Sequence, residues 1–247
     1  MTIIFYDIPS SLEGNAWSPN TFKTRYTLNF KGIPYVTEWV EYPDIEPLCK
    51  KLGIKATSKN PDGTDHYTLP AIHDPSTGVY IADSVLIAEY LDKTYPDTPP
   101  VFPHNTLGLQ HAFAAAFSSS LSPLWEFILP DTCLVLNPPS KEYFRRTREI
   151  AFGKTLVELR PKGEYAEKRW AEFKAGLGKV DEWYSKVDGP FLLGSEVSWA
   201  DIIVASYLVW LKIVWKVDGE RWKDVAEWHG GRWSRIIDSL DAYTAIH

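Results

Sequence analysis

Sulfur-containing residues are scarce in this chain of 247 residues, which has two cysteines and one methionine. Cys49 and Cys133 are far apart and form no CxxC motif, so the sequence indicates neither a disulfide framework nor a redox dithiol. We expect both to be buried apolar thiols. The six histidines include no HExxH pair, and His66 and His73 fall on a predicted loop and strand, so no metal site is predicted.

An excess of positive charge and long apolar runs are also lacking. Lys and Arg number 26 against 32 Asp and Glu, a formal net charge of −6, and the basic residues are scattered, so no nucleic-acid partner is expected. No apolar run reaches the roughly 20 residues that a membrane span needs. The opening MTIIFYDI carries no basic leader or small-residue cleavage site. We therefore expect a cytoplasmic protein with no membrane partner.

Hydrophobic residues make up 45% of the chain, enough for a sizeable core and for two domains. Residues 2–8 and 34–42 have the composition or alternation of strands. Between them, GNAWSPNTFKTRYTLNFKG (14–32) predicts a helix, because Ser18 is a favoured N-cap, Pro19 suits the first helical position and Gly32 suits the end.

The next segments complete a β-α-β-α-β-β-α order over residues 1–95. A short helix is expected near 45–52, and 55–68 is predicted to be a loop around the turn signal NPDG. Residues 69–73 and 79–81 predict a hairpin, which a helix follows from Asp83 and Ser84 to Pro96.

After the proline-rich linker at 96–105, the pattern changes. From 106 to 247 apolar residues recur at spacings of three and four, which predicts an all-helical domain. One helix start is well specified: in VSWADIIV, Ser198 is the expected cap, Asp201 should bond back to it, and Val197 should pack on Ile202.

Three short motifs occur in a telling order: SPNTFK after the first strand, LPAI at the third, and ADS before the helix that follows the hairpin. With the two predicted domains, this order resembles a cytosolic glutathione transferase over nearly the whole chain. More narrowly, NAWSPNTFKTRYTLNFKGIPY is similar to the fungal etherase-related, FuA-type class, relatives of bacterial β-etherases that act on lignin-derived aryl ethers. The resemblance implies a thioredoxin-like glutathione-binding domain, glutathione as co-substrate without a metal, and a homodimer.

The resemblance places the glutathione thiol at the start of the first helix. A free thiol has a pKa near 8.5, so a transferase must favour the thiolate. The Ser18 hydroxyl, backbone N–H groups and the helix dipole could supply that stabilisation. Asn20 is an alternative partner, because SPN also resembles the TPN of transferases related to yeast nitrogen-regulation prions. An ordinary N-cap role for Ser18 stays open.

Neither hydrolysis nor thiol–disulfide exchange is expected at this position. No G-x-S-x-G elbow surrounds Ser18 to make it a nucleophile. Serine also stands where some relatives have cysteine, which removes chemistry that needs a sulfur nucleophile.

The resemblance also assigns the remaining glutathione contacts. Leu69 before a cis Pro70 would pair with the cysteinyl portion, and Asp83 and Ser84 would bind the γ-glutamyl end. Three candidates for the glycyl carboxylate stay open: Lys55, Lys59 and His66.

An aromatic acceptor pocket is expected between the loop 10–17, including Trp17, and the first long helix of the second domain. Phe113, Phe117, Leu121 and Trp125 follow at four-residue spacing there, although such a stripe is also typical of a core. Nine of eleven tryptophans lie from residue 125 onward, which favours planar aromatic substrates or plant polyphenols.

Two functions therefore compete. One is a transferase acting on aromatic electrophiles or lignin-type aryl ethers, and the other is a non-catalytic carrier (ligandin) of aromatic compounds. An inert interaction domain is less favoured, because Ser18, Asp83 and Ser84 all have the expected residue types.

Overall fold

The computed structural model describes residues 2–247, which pack as two units. The first unit extends to Val101 and also contains Leu136–Tyr143 and Ala242–His247. The second unit contains Phe102–Val135 and Phe144–Asp241. Two segments from the part of the sequence after the linker thus pack with the first unit.

Within residues 2–101 the first unit contains six strands and three α-helices, and their order confirms the predicted thioredoxin-like fold. The strands are β1 (Ile3–Asp7), β2 (Tyr35–Trp39), β3 (Ser58–Lys59), β4 (Asp65–His66), β5 (Ala71–Asp74) and β6 (Val79–Ala82). The helices are α1 (Pro19–Phe30), α2 (Ile45–Leu52) and α3 (Ser84–Thr94).

Four strands form a mixed sheet in the order β2-β1-β5-β6. β1 is parallel to β2 and antiparallel to β5, which is antiparallel to β6. The carboxyl end of β1, the amino end of β5 and the carboxyl end of β6 therefore meet at one edge of the sheet. The loops that carry the predicted glutathione contacts all leave from this edge.

The core of the first unit lies between the sheet and helices α1 and α3. Phe5 and Ile72 from the sheet are fully buried with Leu28 of α1 and Ile87 and Leu91 of α3. Burial of such a side chain contributes roughly 1.5–3 kcal/mol. This packing fixes the first turns of both helices relative to the sheet edge.

The second unit is helical, as predicted. Its helices are α4 (Leu107–Ser120), α5 (Leu124–Val135), α6 (Pro138–Phe152, of which Pro138–Tyr143 pack with the first unit), α7 (Leu156–Leu159), α8 (Gly163–Tyr184), α9 (Trp199–Trp215) and α10 (Glu220–Leu240). Most of α9 is buried. At its start the Asp201 carboxylate accepts hydrogen bonds from the backbone N–H and hydroxyl of Ser198, both at 2.8 Å, which confirms the expected contact.

Two local expectations were wrong. Residues 58–66 form the short β3–β4 hairpin instead of an open loop, because Lys59 pairs with Asp65 across it. The stripe from Phe113 to Trp125 does not lie on one helix: α4 ends at Ser120, α5 begins at Leu124, and the two are bent by 86°. Pro123 lies at the break, where its ring disfavours helical geometry in the residue before it.

Both cysteines are buried, as expected. No single helix among residues 2–247 is long and apolar enough to cross a membrane. Taken together, α4 and α5 have the required length and composition, but they form a bent pair and more than half of the α5 residues are buried. Across the same residues, no group of three or more His, Cys, Asp or Glu side chains is placed to hold a metal ion.

Candidate active site

The sheet edge brings together the three segments singled out in the sequence. Tyr6 of β1 pairs with Ala71 of β5, which pairs with Ala82 of β6. The Leu69–Pro70 bond before β5 is cis, as the resemblance implied. The backbone N–H of Asp83 donates to the carbonyl of Pro70 at 3.2 Å, so the second and third motifs are in direct contact.

Ser18 lies at the N-cap of α1 and is buried, with 4% of its surface exposed. Its carbonyl accepts from the Phe22 N–H at 3.0 Å, but its hydroxyl forms no capping hydrogen bond. Pro19 has no N–H, and the N–H groups of Asn20 and Thr21 precede the first intrahelical hydrogen bond. A hydroxyl and two backbone donors are therefore left at the positive end of the helix dipole.

A buried ion pair anchors the loop that leads to Ser18. The Arg25 guanidinium of α1 contacts the Asp7 carboxylate at 2.7 Å, where β1 ends, and donates to the Tyr35 hydroxyl at 3.1 Å. Burial raises the pKa of Asp7, while the charge of Arg25 opposes the rise. The ion pair ties the end of β1 to the middle of α1 and so limits movement of the loop between them.

Asp83 and Ser84 begin α3 at the same edge. Asp83 has a φ of +81°, which is uncommon outside glycine. Its Oδ1 accepts from the N–H groups of Val85 at 2.9 Å and Leu86 at 3.3 Å, which holds this conformation. Oδ2 lies outside these two capping bonds, and Ser84 occupies the first helical position, half-buried.

Family comparisons agree with this arrangement. A model described as the glutathione S-transferase N-terminal domain matches residues 17–94, and one described as the C-terminal domain matches residues 108–243. The chain belongs to the glutathione S-transferase family. Among curated relatives of this transferase, the glutathione S-transferase-like protein ustS of Aspergillus flavus is 36% identical over 252 residues, covering 94% of this chain and 87% of ustS.

Solved structures confirm the narrower resemblance to the FuA-type class. The transferase is similar to GSTFuA3 of Phanerochaete chrysosporium, with 44% identity, a TM-score of 0.94, and coverage of 100% of this chain and 99% of that one. It is also similar to CsGST63524 of Ceriporiopsis subvermispora, which was solved in complex with glutathione. That match has 48% identity, a TM-score of 0.95, and coverage of 100% of this chain and 99% of the other.

The sequence analysis missed Lys23, which lies one turn after Asn20 on α1. Its ammonium donates to Oδ1 of Asn20 at 3.0 Å. Burial lowers the pKa of Lys23 to about 8, and the charge of Asp83 opposes the fall. Lys23 thus links the first and third motifs electrostatically. The spacing of three residues on a helix was a usable signal, because it places Asn20 and Lys23 on one face.

Two further residues that the sequence analysis missed, Tyr42 and Tyr143, form an aromatic cluster with the predicted Trp17 next to Ser18. Trp17 is buried, and its ring centroid lies 6.4 Å from that of Tyr42, which stacks on Tyr143 at 5.4 Å with an interplanar angle of 9°. Ser140 holds the stack in place: its hydroxyl donates to Glu41 and accepts from the Tyr42 N–H. Tyr42 and Tyr143 are half-buried. Because they are about 100 positions apart in sequence, no local pattern could pair them.

The predicted acceptor residues of the second unit differ in how deeply they are buried. Phe117 is a core side chain with 2% exposure, in ring contact with Phe113 and Tyr207. Phe113 and Trp125 are half-buried, and Trp125 contacts Tyr207 from the other side of the break. Their part in acceptor binding stays a prediction.

The three candidates for the glycyl carboxylate also differ. The Lys59 ammonium is paired with Asp65 at 2.6 Å. His66 is half-buried in β4. Lys55 is exposed and lines a cavity of about 480 Å³ together with Lys50 and Tyr67.

Proposed function

We propose that this chain activates the thiol of glutathione for attack on hydrophobic aromatic electrophiles, including lignin-type aryl ethers. In the reaction, the glutathione thiol first loses its proton to solvent, and a bond then forms between the sulfur and an electrophilic carbon. With an aryl halide or aryl ether, the carbon–halogen or carbon–oxygen bond breaks and the leaving group departs with its electron pair as halide or aryloxide. The uncommitted hydroxyl of Ser18 at the start of α1 is the observation that carries the proposal.

The hydrogen-bond donors at the start of α1 are strong enough to lower the pKa of the glutathione thiol by the amount that the reaction needs. A hydrogen bond to a charged group contributes about 1.5–3 kcal/mol, and a helix N-terminus about 0.3–1 kcal/mol. One pKa unit corresponds to about 1.4 kcal/mol, so the two effects together can lower a thiol pKa by roughly 2 units. That change brings a thiol of pKa near 8.5 to mostly thiolate at neutral pH.

Positive charge at the γ-glutamyl end is assigned to Lys23. Its ammonium donates to Asn20 at the start of α1 and is affected by the charge of Asp83 at the start of α3, and the resemblance assigns both helix starts to glutathione. Asp83 Oδ2 is available for the ligand ammonium, while Lys23 and the Ser84 hydroxyl suit the α-carboxylate. At the glycyl end we favour Lys55, because Asp65 already holds Lys59.

Acceptor binding is assigned to the aromatic cluster next to Ser18. Tyr42 and Tyr143 are half-buried and offer aromatic surface of the kind on which planar substrates stack, while Trp17 is buried and packs next to Tyr42. Phe113, Phe117 and Trp125 of the second unit stay separate candidates for acceptor binding. Tyr143→Ala should raise KM for an aryl substrate more than KM for glutathione.

The decisive experiment measures turnover with glutathione and a panel of isothiocyanates, aryl halides and lignin-model aryl ethers, alongside calorimetric binding of glutathione. Binding with turnover of at least one electrophile supports the proposal. Absence of binding at millimolar glutathione would overturn it. Binding of glutathione and aromatic compounds without turnover of any electrophile would favour the carrier function instead.

We also propose that the protein is a cytoplasmic homodimer, as the family resemblance implies. Light scattering at micromolar concentration should give twice the monomer mass. Localisation of a tagged full-length chain in a fungal cell would test the compartment, and accumulation in an organelle would contradict it.

A further inference from the structure

Residues 242–247 form a strap that packs with the first unit, although they follow α10 in the sequence. Their main chain reaches β2, which is an edge strand of the mixed sheet. The backbone N–H of Thr37 in β2 donates to the main-chain oxygen of His247 at 2.7 Å. An edge strand has N–H groups without a strand partner on one side, and the strap accepts one of them.

Side chains of α1 and β2 also hold the strap through its main chain. The Nδ2 group of Asn29 donates to the carbonyl of Tyr243 at 2.8 Å and to that of Ala245 at 2.9 Å. The Tyr35 hydroxyl donates to the same Ala245 carbonyl at 2.8 Å. The ring of His247 meets the ring of Tyr35 edge-on, with the centroids 5.2 Å apart. Because the acceptors all belong to the main chain, these contacts fix the course of the strap.

The strap contacts the loop between β1 and Ser18 at Gly14. Cδ1 of Ile246 lies so close that a Cβ on Gly14 would be 3.1 Å from it. Gly14 has a φ of +77° and Asn15 a φ of +62°, a conformation that is uncommon outside glycine. The Asn15 carbonyl accepts from the N–H and the hydroxyl of Ser10, both at 2.9 Å. Ile246 therefore packs against a compact turn whose conformation depends on support from its neighbours.

A chain of polar contacts joins the strap to the start of the same loop. The Tyr35 hydroxyl, which donates to Ala245, accepts from the Arg25 guanidinium at 3.1 Å. Arg25 pairs with the Asp7 carboxylate at 2.7 Å, and Oδ1 of Asp7 accepts from the Ile8 N–H at 2.6 Å. Hydrogen bonds in such a chain polarise and strengthen one another. The strap is therefore connected to the loop both at its first residue and at its turn.

We propose that the strap is a positioning element of the active site, which fixes the loop 8–17 and through it the direction of the Ser18 hydroxyl. Its catalytic consequence rests on the proposed function. The strap residues are not among the predicted glutathione contacts, so they act through the loop. Release of the strap should loosen the loop, raise the pKa of the bound thiol and lower kcat, while ligand binding at Leu69, Asp83 and Ser84 is little affected.

Two variants of the full chain test the strap: Ile246→Ala removes the contact with Gly14, and Asn29→Leu removes both amide donors. Without ligand, the amides of the loop 8–17 should exchange hydrogen about tenfold faster in each variant, as measured by mass spectrometry. The buried helix α9 should exchange as in wild type, because the release is local. Val217→Ala, which shortens an exposed side chain outside the strap, should match wild type. Asn29→Gln keeps the donor amide and should retain most of the protection.

Catalysis gives a second measurement. With an electrophile that wild type turns over, kcat should fall about 3- to 10-fold in Ile246→Ala and Asn29→Leu, and the pKa of bound glutathione should rise by about 0.5–1 unit, which corresponds to the same loss of thiolate. Affinity for S-methylglutathione, which has no thiol, should change by less than about twofold. This difference separates the positioning of Ser18 from a general loss of binding.

Wild-type exchange of the loop in both variants would overturn the proposal, and so would faster loop exchange with an unchanged thiol pKa and kcat. If wild type bound no glutathione, the proposed function would fail, but the exchange measurement would still decide whether the strap fixes the loop. Should Asn29→Leu fail to fold, Ile246→Ala decides the question, because that side chain is 44% exposed and its loss is tolerable to the fold.

Discussion

The Lys23 ammonium donates a hydrogen bond of 3.0 Å to Oδ1 of Asn20. A lysine can only donate, so the contact fixes which end of the amide faces it. The Asn20 Nδ2 group, with two N–H donors, takes no part in this contact, and Asn20 is an exposed residue of the first turn, two positions after the N-cap Ser18. The side chains of Ser18 and Asn20, two positions apart, are therefore alternative hydrogen-bond donors to the thiolate.

Ser18→Ala should slow conjugation by about 10- to 150-fold, because it removes a charge-assisted hydrogen bond of roughly 1.5–3 kcal/mol. The pKa of bound glutathione should rise by a matching amount. Thiolate absorbance near 240 nm, followed against pH, measures that pKa directly. An unchanged thiol pKa and rate in the variant would reduce Ser18 to a helix N-cap.

Ser198 provides a matched control for stability, since it is also a buried N-cap serine. Its hydroxyl donates to Asp201, whereas that of Ser18 caps nothing. Ser198→Ala should therefore lower the free energy of unfolding by about 1–3 kcal/mol, and Ser18→Ala by less than about 0.5 kcal/mol. Urea unfolding of the two variants checks this, and equal losses would contradict the assignment of a free hydroxyl to Ser18.

Asn20→Ala should reduce the conjugation rate less than Ser18→Ala, by about 2- to 10-fold, because Asn20 is exposed and water can replace its donor. Asn20→Asp keeps the acceptor for Lys23 but places a negative charge beside the thiolate, so it should raise the thiol pKa. The reverse order of the two alanine variants would make Asn20 the main thiolate partner.

Lys23 should make ligand binding pH-dependent. Its pKa of about 8 means that the side chain is mostly charged at pH 7 and mostly neutral at pH 9. Affinity for S-methylglutathione, which has no thiol, should therefore fall about tenfold from pH 7 to pH 9 as the charged fraction falls.

Two variants separate the titration of Lys23 from the titration of the amino group of the ligand. Lys23→Gln should bind more weakly at pH 7 and retain only the pH dependence of the ligand, while Lys93→Gln, which removes an exposed lysine of α3, should behave like wild type. A wild-type pH profile in Lys23→Gln would rule out Lys23 as the titrating group.

Asp74 should stabilise the first unit except in acid. Burial opposes its ionisation, but hydrogen bonds from Ser76, Tyr95 and Tyr90 outweigh burial and lower its pKa below 3.8. The folded protein thus holds this proton less tightly than the unfolded chain, so the stabilisation is present above about pH 4 and lost as pH falls through the folded-state pKa. Asp74→Asn should flatten that part of the pH profile of unfolding free energy; an unaltered acid limb would contradict the assignment.

Local signals in the sequence determined the helix starts and the order of elements. Ser18 and Pro19 mark the start of α1, and Asp201 bonds back to Ser198, because N-caps act within one helical turn. Pro123 also carried a signal for the break between α4 and α5, but regular apolar spacing across it suggested a continuous helix. The two-residue strands of the β3–β4 hairpin are too short to show alternation.

The chemistry of the site was decided by contacts that no local pattern contains. Sequence named Ser18, Asp83 and Ser84, but only the fold shows that the Ser18 hydroxyl caps nothing. Only the fold, likewise, stacks Tyr143 on Tyr42. The physical reason is range: capping and periodicity act over a few residues along the chain, whereas stacking, burial and the pKa of Lys23 depend on residues that packing brings together from distant segments.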